Sequence, residues 1–178
     1  TPFLVLCFLL GCVFLQFQAA MPIDMRAHGI DARKYGALMA LNGVVVVLLQ
    51  PFAVHGMQRF DRARLLALGA LLTGVGFGLN AFAHTVPFYA LAIVVWTLGE
   101  VTHAPVASAI VADLSPVDQR GRYQGAYSVT WGLAGAAGPA LGGIVLHRFG
   151  ATILWAACAV LGAIVAIGGA LVVAHFFA

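Results

Sequence analysis

The stretch PFYALAIVVWTLGEVTHAPVASAIVA, residues 87–112, decides how this chain is read. It carries one charged side chain, Glu100, near its middle. A hydrocarbon core of ~30 Å needs roughly 20 helical residues to cross it, so the stretch is long enough to span a membrane. Working outward, five more such stretches appear, at 2–22, 36–56, 65–84, 122–146 and 151–177. The expectation is an all-α membrane protein, one six-helix transmembrane bundle over 1–178.

Composition leads to the same class. Charged residues make up 8% of the chain and apolar ones 62%, with a mean hydropathy of +1.00. A soluble domain carries about 25% charged residues, and 178 residues cannot enclose this much apolar surface. The net charge of +3 is spread over short loops, which gives no footprint for nucleic acid. Basic residues flank the spans, where they meet lipid head groups. Cys7, Cys12 and Cys158 all lie within spans, without CxxC or metal-ligand spacing, and read as packing residues. No metal or cofactor is called for. The chain opens at Thr1-Pro2 with no Met and no charged segment ahead of the first span, and it reads as a fragment cut just before that span.

The links are short. Pro22 and the polar run Asp24–Lys34 close the first span, and the Arg59–Arg64 cluster separates the second from the third. His84-Thr85-Val86-Pro87 is a tight hairpin, 113–122 joins spans four and five, and 147–150 is the last turn. The second and fourth loops carry Arg59, Arg62, Arg64, Arg120 and Arg122, against Arg26, Arg33, Lys34 and Arg148 in the others. That slight excess leans toward cytoplasmic second and fourth loops.

Several polar groups at membrane depth are candidate functional residues. A charged side chain there costs on the order of 2.5–3.5 kcal/mol, and such residues commonly mark ion or substrate pathways. A carboxylate that gains and loses a proton as access alternates couples movement to a proton gradient, which makes Glu100 the candidate proton carrier. His103, three residues on, shares its helix face and is placed with it. The plainer reading of both is interhelical hydrogen bonding. Asn42 and Gln50, eight apart on span two, together with Gln16 and Trp96, are candidates for a substrate cavity. Buried amides and a Trp serve equally well as packing groups. Gln18 is a further amide near the edge of span one. Arg120 and Arg122, with Asp113 or Asp118 as acidic partners, are candidate gating residues, alternatively head-group contacts. The Arg59–Arg64 cluster reads as a topology anchor. Gly138, Pro139, Gly142 and Gly143 are assigned to close helix packing, with a kink at Pro139.

The segment Asp113-Leu-Ser-Pro-Val-Asp-Gln-Arg-Gly-Arg-Tyr-Gln-Gly125, followed by Trp131-Gly-Leu-Ala-Gly-Ala-Ala-Gly-Pro-Ala-Leu-Gly-Gly143, resembles a helix–loop–helix of major facilitator superfamily transporters, in the style of proton-coupled drug efflux. Gln16 and Gln18, His28-Gly29, Tyr35-Gly36, Leu41-Asn42-Gly43 and Gln50-Pro51 fit the same pattern. The resemblance implies one half of a twelve-helix fold, paired with a missing six-helix half. It also implies a small, lipophilic substrate, protons as coupling ion, lipid as surroundings and a bacterial plasma (inner) membrane as location. The family's loop pattern G-x-x-x-D-R-x-G-R-R is degraded here to Gly56-Met-Gln-Arg-Phe-Asp-Arg-Ala-Arg64, which favours the carboxy-terminal half. The Gly-Pro-x-x-Gly-Gly element, better known from the amino-terminal half of antiporters, favours the other. Competing classes are a non-transporting six-helix subunit, a homodimerising half, and an intramembrane enzyme. The last needs a serine in a Gly-x-Ser-Gly setting, which neither Ser108 nor Ser128 has, or paired aspartates within spans. The chain is therefore expected not to be an enzyme.

Overall fold

The computed structural model describes residues 2–57 and 59–177; Thr1, Gln58 and Ala178 lie outside the described residues. Among the described residues there are seven α-helices: α1 (Pro2–Phe14), α2 (Ala20–Ala27), α3 (Ala32–Met57), α4 (Arg62–Leu79), α5 (Val86–Asp113), α6 (Arg120–Phe149) and α7 (Ala151–Phe177). With α1 and α2 taken as one broken span, they make six segments long and apolar enough to cross a membrane.

Local chemistry sets the helix ends. Asp61 caps α4 by accepting from the Arg64 N–H at 2.9 Å, and Asp31 does the same for α3 from Lys34 N–H at 2.9 Å. Thr85 is extended and Pro87 falls in the first turn of α5, where its missing N–H has no partner to lose. Gly29 and Gly150 turn the chain out of α2 and α6 at φ of 73° and 86°, a region that favours glycine.

The first span differs from the sequence reading. A 3₁₀ turn at Leu15–Phe17 breaks it, and α2 then carries it on to Ala27. Pro22 does not end the span, because it sits in the first turn of α2, where a helix tolerates proline. Asp24, read as the start of a polar loop, is consequently buried.

The helices pack unequally. α4 lies along its length between α5 and α7, while α1 packs on α6 and α7, and α3 leans mainly on α5. Half of the α4 and α5 spans is buried, against 6% for α3 and 17% for the α6 span. The core is aromatic: Phe77 stacks on Trp96 at 5.3 Å and on Trp155 at 6.3 Å, and Phe14 meets Trp96 edge-on at 5.4 Å.

A candidate proton and substrate site at Glu100

Midway along α5, Glu100 reaches α3. The Asn42 side-chain amide donates to Glu100 Oε2 at 3.0 Å and lies 3.0 Å from Thr97 Oγ1, within donating distance. Thr97 donates in turn to the Ile93 carbonyl at 2.6 Å, one turn back in its own helix. Thr97 sits three residues from Glu100, so α5 offers both acceptors on one face. Two candidates separated by 58 positions in sequence are thus brought together.

On its other side Glu100 lines a cavity of about 230 Å³ with His103, Thr73, Phe14 and Trp131 among its walls. Cavities that hold drug-sized ligands run to roughly 300–1,000 Å³, so this one is a partial site. His103 is 4% exposed, its backbone tight against Gly69 of α4. Glu100 and His103 share the cavity, yet among the described residues no hydrogen bond joins them.

The other candidates sit elsewhere. Gln50 is exposed on α3, about 12 Å along the axis from Asn42 by helical rise. Gln16 is buried in the α1–α6 contact, donating to the Gly138 carbonyl at 2.7 Å and to Cys12 O at 3.0 Å. Gln18 is exposed. Trp96 is 1% exposed in the aromatic core and is not among the residues lining the Glu100 cavity; Trp131 is. Gly138 and Gly142 pack as a notch: a Cβ on Gly138 would meet Cys12 Cα at 3.0 Å, and one on Gly142 would collide with the Gln16 amide. Gly143 does not share that role in this bundle, because nothing lies within 4 Å of where its side chain would stand. α6 continues as a helix through Pro139.

At the end carrying the second and fourth loops, Asp113 pairs with Arg62 of α4. Arg62 belongs to the cluster read as an anchor. Arg120 and Arg122, the candidate partners of Asp113 and Asp118, are exposed and form no ion pair among the described residues. The start of α6 is on the open side of the bundle, whereas Arg62 sits at the foot of α4, packed directly on α5.

Thr73 and Thr97, now beside Glu100, escaped sequence reasoning, and so did one buried acid. Asp24 is 4% exposed, and its Oδ2 accepts from Tyr89 O–H at 2.9 Å and from Trp155 Nε1–H at 3.0 Å. The sequence signal is Met21-Pro-Ile-Asp-Met25, an acid with apolar residues on both sides, which a helix end at Pro22 would leave in a loop.

Residues 3–178 match the sequence pattern described as Major Facilitator Superfamily. Among similar proteins is the uncharacterized MFS-type transporter YqjV of Bacillus subtilis, 28% identical over 78% of this chain and 34% of YqjV. Another is the multidrug resistance protein MdtH of Aeromonas hydrophila, 28% identical over 77% of this chain and 34% of that protein. The chain thus spans about a third of the length of the relatives it matches. The crystal structure of the human organic anion transporter MFSD10 superposes with a TM-score of 0.87, at 18% identity, over 94% of this chain and 40% of that one. On its sequence match over residues 3–178, with a bundle of six membrane-length helices that has this same fold, the chain belongs to the Major Facilitator Superfamily.

Proposed function

We propose that these helices are the carboxy-terminal half of a secondary transporter that exports a small lipophilic solute in exchange for protons, by rocking against a second six-helix half. The observation that carries the reading is the Asn42–Glu100 hydrogen bond beside the 230 Å³ cavity, which sets a protonatable group at mid-span between a polar partner on α3 and an open space. Protonated, Glu100 has one oxygen left to accept and a proton to donate; ionised, it only accepts. The Asn42 contact therefore reads the charge state, and differential contacts of this kind bias an equilibrium between access states.

Family membership favours a transporter over an enzyme. The naming of MdtH as a multidrug resistance protein supports a lipophilic solute and efflux, and bacterial relatives support a bacterial plasma membrane. A second half is supported by the open side of α6, where Gly121, Gly125, Ser128 and Gly132 are all exposed. Small and polar residues on a membrane helix suit a close helix partner better than lipid.

The test uses the intact gene product in liposomes under an imposed pH gradient, following a lipophilic dye. Wild type should show gradient-driven flux and Glu100→Gln should abolish it. Equal flux in both would move the coupling group elsewhere; absence of flux in wild type would reject the solute class or the ion.

A further inference from the structure

At the end of the bundle that carries the first and third loops, four side chains from three separate parts of the chain form a continuous line of hydrogen bonds. His84, in the α4–α5 turn, places Nδ1 2.9 Å from His28 Nε2. His28, just past α2, places Nδ1 2.9 Å from the Asp24 carbonyl and 3.2 Å from Tyr89 Oη. Tyr89 donates to Asp24 Oδ2 at 2.9 Å, beside the Trp155 indole at 3.0 Å.

The partners fix the tautomers. A carbonyl only accepts, so His28 carries its hydrogen on Nδ1. Its Nε2 is then bare and accepts from His84, which must also carry its hydrogen on Nδ1. His84 Nε2 is left bare on an exposed residue. Every donor in the line points inward, toward Asp24.

We propose that His84, His28, Tyr89 and Asp24 form a binding site for a single proton, filled from the solution on the face of the first and third loops. A proton adds to His84 Nε2, the His84 Nδ1–H bond breaks, and that proton passes to His28 Nε2. The product is a His28 imidazolium whose Nδ1 stands 3.7 Å from Oδ1 of the Asp24 carboxylate, an ion pair where a neutral imidazole stood. A second proton would set two cations across a 2.9 Å contact, and like charges that close oppose it. The groups bonded along this line are Asp24 from α2, Tyr89 from α5 and, through Asp24, the uncharged Trp155 indole from α7; among the described residues no Lys or Arg pairs with Asp24. Tyr89 lies eleven positions before Glu100 on α5, about 16 Å by helical rise, so this site is separate from the mid-span carboxylate.

The experiment is ¹⁵N-histidine NMR of the intact protein in lipid nanodiscs, with His28→Gln and His84→Gln assigning two of the six histidines that this chain contributes. Two resonances in the Nδ1–H form at alkaline pH are expected, the minor form for a histidine side chain in water. Acidification should then load one proton on the pair, on His28. Asp24→Asn keeps both acceptor contacts but removes the compensating charge, and the loaded proton should then no longer be held on His28. Two histidines in the Nε2–H form, each taking its own proton, would overturn the proposal, as would loading on His28 that is unchanged in Asp24→Asn. Should that variant not fold, tautomer and proton count in wild type decide alone. The readout needs no transport, so it stands or falls apart from Glu100.

Discussion

One side of this bundle is built on contact between backbones, and the other is left open. Between α4 and α7, a Cβ on Gly74 would come within 2.7 Å of Gly162 Cα, and one on Gly78 within 2.7 Å of Ala159 Cβ. Across α4 and α5, Gly69 and Gly99 play the same part against His103 and Thr73. On α3 and α6 the glycines Gly36, Gly43, Gly121, Gly125, Gly132 and Gly143 would meet nothing within 4 Å. Large apolar side chains there, Val47 and Leu48 on α3 and Val129 and Leu133 on α6, are 59–72% exposed. Lipid tails are as apolar as leucine, so membrane helices associate through close packing and hydrogen bonds rather than hydrophobic collapse. The packed side has both of these within the chain. The open side is tied in by a few hydrogen bonds, Asn42–Glu100 and Gln124–Ser108 to α5 and Gln16 to Gly138, while its outer faces are left exposed.

The sharpest way to break this contrast is at Asp24, which ties α2 to α5 and α7. Asp24→Ala strands the buried Tyr89 hydroxyl and Trp155 indole N–H. Each stranded donor costs roughly 1–3 kcal/mol, so this is the largest single loss expected. Thermal unfolding in detergent measures it. A variant as stable as wild type would show that the buried acid does not hold these helices.

Glycine exchange compares the two sides directly. Gly74→Ala must push α4 from α7 and should cost about 1–3 kcal/mol, the usual range for overpacking. Gly132→Ala, in open space, should stay within about 0.5 kcal/mol in this chain by itself. In an assembled twelve-helix protein the second value should rise if another half covers α6. Equal losses at both glycines in the isolated chain would erase the distinction.

How far the sequence shows these two sides depends on the kind of signal. Span number and type follow from run length, because a membrane helix must be long and apolar whatever it touches. Pairing of Glu100 with another polar group was foreseeable in kind, since charge at that depth demands a partner. Which partner was not: Asn42 is 58 positions away and joins α5 only through helix packing. The glycines show the same limit. Gly138 and Gly142 face α1, while Gly143 is one residue, or about 100° of helix, away and faces outward. Small-residue counting sees all three alike. Asp24 was hidden by a local rule, that proline ends helices, applied where proline begins one.

At the loop end of the packed side, the Arg62–Asp113 pair joins α4 to α5 with side chains 47% and 44% exposed. Asp113→Asn should therefore cost less than about 1 kcal/mol, as surface pairs do, and less still in high salt. A loss above that, insensitive to salt, would mean the pair is held inside a wider network and belongs with the packed side after all.

A similarly small change in stability, at Glu100, bears most on function. In Glu100→Gln the side chain keeps its shape and an amide oxygen, so Asn42 can still donate to it. Interhelical hydrogen bonds in membranes average about 0.6 kcal/mol, and a variant that keeps its acceptor should change stability by less than that. Transport and stability would then separate at this one position. A glutamine variant that unfolds as wild type does but carries no gradient-driven flux has lost a titrating group, not a strut. A variant that loses both would place Glu100 among the groups that hold α3 to α5, and the open side would then be fastened more firmly than its exposed faces suggest.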